Sequence, residues 1–265
     1  MVASHALEDR VVVVIGGTAG IGLAGTLACA RAGARVVAVG LTTDGAAEAS
    51  PHRDSVECVV ADARDPQTAP AAIAQARTQF GRFDALYHVA GGSGRAVGDG
   101  PLDAISDKGW RDTLDMNLSP VAWSNRAAVQ SFLAEGRGGT VLNITSVLAW
   151  APSPLDFATH AYTAAKAGVI GLTRACAARY APAGIRFNAI APGLVETAMS
   201  ERAAADPEIM SRIRRRQALD GGRIGRPPDL DAAVVFFLSD ASAFVTGQVL
   251  AVDGGWTVRD GAGDA

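Results

Sequence analysis

The sequence predicts an α/β domain, doubly wound, on a seven-stranded parallel sheet with helices on both faces. Short β-branched runs alternate with longer Ala-rich stretches, and runs such as VVVVI at residues 11–15 are apolar without interruption. Strands of that kind are buried on both faces, and parallel neighbours need crossovers long enough to be helices. A glycine-rich turn, GGTAGIG, follows the first run directly, at the carboxyl end of a strand, where this architecture binds ligands.

In chain order, strands are expected at 11–15, 35–39, 56–60, 84–89, 140–145, 185–190 and 248–252. Helices are expected at 22–32, 70–80, 110–135, 162–180 and 230–238, where the stretches lose the β-branched run and lengthen. Residues 91–101 (GGSGRAVGDGP) read as a Gly-rich loop after the fourth strand, and 152–159 as a Pro-containing insertion before the next long helix. The tail 257–265 reads as mobile unless a neighbouring subunit holds it. With 265 residues, no tandem repeat and no linker, the chain is expected to form one domain.

Hydrophobic residues make up 49% and charged ones 19% of the chain, which suits a packed core and excludes a disordered chain. A formal net charge of −3 gives no basic field for nucleic acid. The opening MVASHALEDR has no apolar signal region, and no apolar run reaches the roughly 18–20 residues of a membrane-spanning helix. A cytoplasmic protein without nucleic-acid or membrane partners is therefore expected. Cys29, Cys58 and Cys176 lack the paired spacing of a metal or redox site and read as reduced core residues.

Gly16, Gly20 and Gly22 sit where the first strand turns into a helix. Small residues there let backbone approach a pyrophosphate, and the helix amino terminus supplies free N–H groups. A literal G-x-G-x-x-G match at Gly20, Gly22 and Gly25 begins five residues past the strand and is in the wrong register. Asp62, after the third strand, suits either an adenine amino group or a helix cap, since Asp65-Pro66 follows.

Tyr162 and Lys166 stand four residues apart in an Ala-rich helical stretch, so both project from one face. A free tyrosine titrates near 10; lowering it by about three units takes roughly 4 kcal/mol, which a nearby ammonium helps supply. Ser146 ends the fifth strand in NITS, where a hydroxyl can orient a carbonyl or alcohol oxygen toward the tyrosine. Asn117, within the expected 110–135 helix, reads as a kink, a solvated position or a member of the same site.

Together these segments resemble the classical short-chain dehydrogenase/reductase family over nearly the whole chain, from Val11 to about Trp256. IGGTAGIG is similar to its glycine turn, NITS to its serine strand, and YTAAK to its Y-x-x-x-K motif. FNAIAPGLVETAM and the ending GRIGRPPDLDAAVVFFLSDASAFVTGQVLAVDGGW match it as well. The resemblance implies a single Rossmann-like domain and an NAD(P)-dependent oxidoreductase interconverting a secondary alcohol and a ketone. It implies Tyr162 as general acid/base, Ser146 fixing the reacting oxygen, Lys166 lowering the tyrosine pKa and holding the nicotinamide ribose, and Asn117 supporting a relay water. The implied cofactor shell is Gly16, Thr18, Gly20, Ile21 and Gly22 in the turn, Leu41 after the second strand, and Asp62 and Ala63 at the adenine. Ala90, Gly91, Tyr162, Lys166, Pro192, Gly193, Val195 and Thr197 complete it. Residues 194–221 would be a substrate lid, and pairing of the long helices from Trp110 and Tyr162 implies a homotetramer or homodimer.

Two departures stand out: Ile15 replaces a threonine before the glycine turn, and His88-Val89-Ala90-Gly91 stands where the family has N-N-A-G. His88 reads as a satisfied structural histidine. Gly40 occupies the position of the acid that marks NAD enzymes, and Leu41 that of a cation that marks NADP enzymes. Thr42 and Thr43 suit a ribose hydroxyl or a phosphate, Asp44 suits the ribose or the start of the next short helix, and Arg53 reads as the only nearby cation, on a loop. With no positioned partner for a phosphate, NAD is favoured over NADP. The run Arg212–Arg216 reads as a solvated helix face or, failing that, an anion site. A catalytically silent cofactor-binding sensor is the rival reading that the tetrad argues against.

Overall fold

The computed structural model describes residues 5–42, 44–52 and 54–261. Seven strands form one parallel sheet in the order β3-β2-β1-β4-β5-β6-β7. They are β1 (Val11–Ile15), β2 (Arg35–Gly40), β3 (Val56–Val60), β4 (Ala85–His88), β5 (Gly139–Ile144), β6 (Ile185–Pro192) and β7 (Val249–Val252). Strand order reverses between β1 and β4, and register pairs Ile15 with both Val39 and His88. Such a reversal opens a crevice at the carboxyl ends of the strands.

The helices are α1 (Gly20–Arg31), α2 (Asp44–Ala49), α3 (Thr68–Phe80), α4 (Asp107–Asn117), α5 (Ser119–Ala134), α6 (His160–Tyr180), α7 (Glu201–Ala204), α8 (Pro207–Arg216) and α9 (Asp231–Leu238). Side chains alternate along the strands: Val12, Val14, Val36, Ala38 and Tyr87 pack in a core with α1 and α9. Val11, Val13, Ile15, Val37 and Leu86 pack with α3, α5 and α6 on the other face. A third cluster, Val147, Ala191, Ala203, Ile209, Ile213 and Trp256, lies under α7 and α8.

Three sequence expectations change. The helix at 110–135 is two helices: Leu118 leaves helical geometry at φ −115°, and Pro120 in the first turn of α5 has no N–H to continue the ladder. Helix α3 begins at Thr68 rather than 70, anchored by the Thr68 hydroxyl donating to the Asp62 carbonyl at 2.6 Å. Of the cysteines, Cys29 is buried, whereas Cys58 and Cys176 are half-buried.

Residues 257–261 are held by their own chain: the Asp253 carboxylate accepts from Thr257, and Arg215 donates to the Gly261 carbonyl. The remaining tail, 262–265, lies outside the described residues. Among the described residues no helix is long and apolar enough to cross a membrane.

Candidate active site

Gly16 leaves β1 with φ +90°, and a Cβ there would fall 2.6 Å from the Ala90 nitrogen. A Cβ on Gly22 would fall 1.8 Å from the Gly16 carbonyl oxygen, so the turn and α1 close on each other only with glycine at both places. Gly25 packs against the Tyr87 ring inside α1 and takes no part in the turn. Ala19, the α1 N-cap, offers no side-chain acceptor, and the first helical bond runs from Leu23 to Ala19. The amides of Gly20, Ile21 and Gly22 therefore have no acceptor among the described residues. Three free donors at the positive end of a twelve-residue helix fit a pyrophosphate.

A cleft of about 1060 Å³ runs from that turn along the strand ends, larger than the roughly 300–1,000 Å³ that encloses a drug-sized ligand. Gly16, Thr18, Gly20, Ile21, Gly22, Leu41, Asp62 and Ala63 line one part of it; Ala90, Gly91, Ser146, Tyr162, Lys166, Pro192, Gly193, Val195 and Thr197 line the rest. The structure thus brings every expected site residue to one cleft except Asn117. Asn117 is fully buried behind the wall, at the last turn of α4. Its Oδ1 accepts from the Gly92 amide at 3.0 Å and its Nδ2 donates to the Thr113 carbonyl at 2.9 Å. It holds the Gly91–Gly92 turn against the helix break.

The adenosine part of the cleft has a filled corner. Thr18 is buried, and a Cβ on Gly40 would lie 1.7 Å from the Thr18 Oγ1. The threonine side chain occupies the space a residue-40 side chain would use. Leu41 is exposed at the rim. Asp62 does not cap α3, whose N-cap is Gln67; its carboxylate is gripped by the Arg64 backbone and guanidinium, which hold it below the usual carboxylate range. Arg64, overlooked in the sequence, also lines the cleft. Thr43 and Arg53 lie outside the described residues.

At the other part, α6 carries Tyr162 and Lys166 on one face, and β5 delivers Ser146 through the Thr145 hydroxyl, which donates to the Lys166 carbonyl at 2.7 Å. The Lys166 ammonium donates to the Ile144 carbonyl at 3.0 Å and lies 5.6 Å from the Tyr162 ring centre. Burial of the hydroxyl end pushes the Tyr162 phenol up to about 12, offset in part by a hydrogen bond with Ser146. Burial pulls the Lys166 ammonium down to about 8. Among the chain's own groups, burial therefore outweighs the lowering of the tyrosine that the resemblance implied.

The amino terminus of α6 has a distant cap: Asp99 accepts from Ala161 at 3.0 Å and from Tyr162 at 2.9 Å. A carboxylate there complements the helix dipole and fixes the first turn, which bears the tyrosine.

His88 is satisfied on one nitrogen only: Nδ1 lies 2.7 Å from the Ser124 Oγ, and Nε2 has no partner among the described residues. Burial, then the Lys166 charge, holds its pKa down to about 3, so it is neutral. Ile15 is a core residue and Val89 packs on the core, so both departures exchange a polar contact for an apolar one.

The run Arg212–Arg216 is divided: Arg214 and Arg215 are exposed, as on a solvated helix face, whereas Arg212 and Arg216 are engaged by their own chain. Arg212 grips the buried Asp156 carboxylate through two hydrogen bonds, of 2.9 and 2.6 Å. Arg216 donates to the Pro152 carbonyl and lies 4.5 Å over the Trp256 ring. These arginines tether α8 to the 152–159 insertion and the tail.

A sequence profile of the family described as Enoyl-(Acyl carrier protein) reductase matches residues 16–257. The chain is 34% identical to 2-dehydro-3-deoxy-D-gluconate 5-dehydrogenase of Escherichia coli K12, covering 98% of this chain and all of that protein. It is 36% identical to cis-4-hydroxycyclohexanecarboxylate dehydrogenase of Sinomonas cyclohexanicum, over 96% and 98% of the two chains. A crystal structure from Agrobacterium tumefaciens with bound NADP, described as a proposed 2-deoxy-D-gluconate 3-dehydrogenase, superposes with a TM-score of 0.83 at 33% identity, over 97% and 99%.

Proposed function

The chain belongs to the short-chain dehydrogenase/reductase family and is an NAD(P)-dependent oxidoreductase acting on CH–OH groups; from that premise we propose that Tyr162, Ser146 and Lys166 carry its chemistry. The observation that carries the proposal is the meeting of the two hydroxyls and one buried ammonium in the cleft that begins at three unpartnered helix amides. The bound nicotinamide supplies or accepts the hydride. Ser146 and Tyr162 hold the reacting oxygen between them. With its pKa near 12, the phenol is protonated at neutral pH and donates to a carbonyl oxygen in reduction, becoming phenolate; in oxidation it is the phenolate that takes the proton from the alcohol. Lys166, charged below about pH 8, stabilises the phenolate so formed. Asn117 acts one step back, by holding the Gly91–Gly92 turn beside Lys166.

The substrate is a small secondary alcohol or its ketone, a reading supported by the sugar-derived and cyclic alcohols named for the relatives. We favour NAD. No acid or cation stands at Gly40 or Leu41, and the Arg64 fork is already engaged by Asp62. Residues 194–221 act as a lid over the substrate, and the protein works in the cytoplasm as a homodimer or homotetramer. The exposed Phe244 and the edge strand β7 favour self-association. Screening secondary alcohols and ketones by nicotinamide absorbance with both cofactors tests the reaction; absence of turnover across the panel would overturn it. Fluorescence titration with NADH and NADPH tests the preference: NADPH binding tenfold tighter, about 1.4 kcal/mol, would reverse it.

A further inference from the structure

Six charged side chains line the cleft: Asp62, Arg64, Arg95, Lys166, Glu201 and Arg202. Asp62 and Arg64 satisfy each other, and Lys166 belongs to the catalytic group. Arg95, Glu201 and Arg202 remain, two of them cationic. Arg95 comes from the turn at Arg95–Val97, inside the Gly-rich loop after β4, and Arg202 from α7. Each donates one Nη2 hydrogen bond, at 2.9 Å, to the same acceptor, the Asp156 carbonyl. The two nitrogens are therefore no farther apart than the sum of those bonds.

Neither guanidinium forms an ion pair among the described residues. The Asp156 carboxylate is taken by Arg212, and both oxygens of Asp99 are taken by the α6 amides. Glu201 lines the cleft without bridging to either arginine. Both arginines are exposed at the cleft; partial desolvation, then the neighbouring Arg202 charge, lowers Arg95 from the usual arginine range. Each guanidinium carries five N–H donors and the protein uses one. Two positive forks held side by side against a single neutral carbonyl are short of negative charge, and the planar fork matches a carboxylate best.

The neighbouring wall is apolar and stiff. Phe157 lies under Arg202, with the guanidinium 5.8 Å from the ring centre, and tilts against Trp256 at 6.0 Å. Both rings line the cleft together with Leu148 and Met199. A carbon skeleton resting on these rings, its oxygen at Ser146 and Tyr162, would direct a distal group to the arginines.

We propose that Arg95 and Arg202 form an anion-binding subsite, so that the substrate is a hydroxy acid or oxo acid whose carboxylate lies remote from the carbon that exchanges hydride. The assignment rests on the oxidoreductase reading and names its substrate class. It also explains why the Gly-rich loop and α7 converge on the 152–159 insertion: together they position the arginine pair.

The test separates anion recognition from turnover by using ligands that cannot react. Calorimetric titration of the protein saturated with NAD⁺ compares cyclohexanecarboxylate with cyclohexanecarboxamide, matched in shape and differing in charge. The carboxylate should bind at least about tenfold tighter, equivalent to about 1.4 kcal/mol. Arg202→Met and Arg95→Met should each remove about that factor for the carboxylate and shift the carboxamide by less than about twofold, with Lys at either position restoring part of the loss. NADH titration of each variant reports an intact cofactor site. Equal affinity for the two ligands, no carboxylate binding in the millimolar range, or equal loss for both ligands in the variants would overturn the proposal. Failure to oxidise any secondary alcohol while the carboxylate still binds selectively would instead overturn the oxidoreductase reading and leave the subsite standing.

Discussion

Replacing Gly40 with alanine drives a methyl group into Thr18. The new Cβ would lie 1.7 Å from the Thr18 Oγ1 and 2.8 Å from its Cβ, and Thr18 is only 3% exposed, so it has little room to retreat. Overpacking of this kind costs about 1–3 kcal/mol. In a chain of this size each kcal/mol moves the melting midpoint by about 2–4 °C. Gly40→Ala should therefore melt several degrees below the parent. Thr18→Gly removes every atom of the clash, so the double variant should recover most of the loss, with an interaction energy of at least about 1 kcal/mol. Thermal unfolding of the parent, both single variants and the double at one protein concentration measures it. A Gly40→Ala variant as stable as the parent, or strict additivity of the two changes, would refute the reasoning. In the Thr18→Gly background, Gly40→Asp should then fit and shift the NADH/NADPH preference further toward NADH.

Three further outcomes are expected. Lys166→Met should abolish turnover yet stabilise the fold by up to ~3 kcal/mol at neutral pH, because a buried ammonium held near 8 instead of 10.5 is a cost to the folded state. That cost is full below pH 8 and fades as the folded-state lysine discharges between about 8 and 10.5, so denaturant titrations across that range should see the variant's advantage disappear. Asp99→Ala should cost about 0.5–2 kcal/mol of stability and lower kcat more than cofactor affinity, since it uncaps the turn that bears Tyr162. Arg212→Met should increase hydrogen exchange in residues 152–159 and 201–216 together, because the Asp156 carboxylate ties these segments to one another; exchange changing in only one of them would contradict that coupling.

What the sequence disclosed and what it hid follow from the range of the interactions. The central strands β1 and β4 are legible because burial on both faces favours apolar runs, and Tyr162 and Lys166 because one helical turn fixes their spacing. The α4–α5 break was signalled by Pro120, outweighed by the length of the Ala-rich stretch around it. Asp99, Arg95, Arg202 and Asp156 carried no local signal: Asp99 caps a helix 62 residues away, and the arginines meet at a carbonyl 61 and 46 residues distant. Arg212 looked like surface charge because nothing nearby in sequence announces its partner, 56 residues earlier. Thr18 filling the corner at Gly40 is likewise a contact between two turns, invisible to either one alone.

The central claim, that the Tyr162 phenol transfers the proton while the nicotinamide transfers the hydride, is tested most directly by Tyr162→Phe. The substitution keeps the ring and removes only the titrating oxygen. Steady-state turnover of the best secondary alcohol from the panel should fall by at least about a hundredfold, the lower range for loss of a general acid/base. NADH affinity should stay within about threefold of the parent, a difference of less than 1 kcal/mol. Turnover within a few-fold of the parent, with the cofactor still bound, would contradict the account.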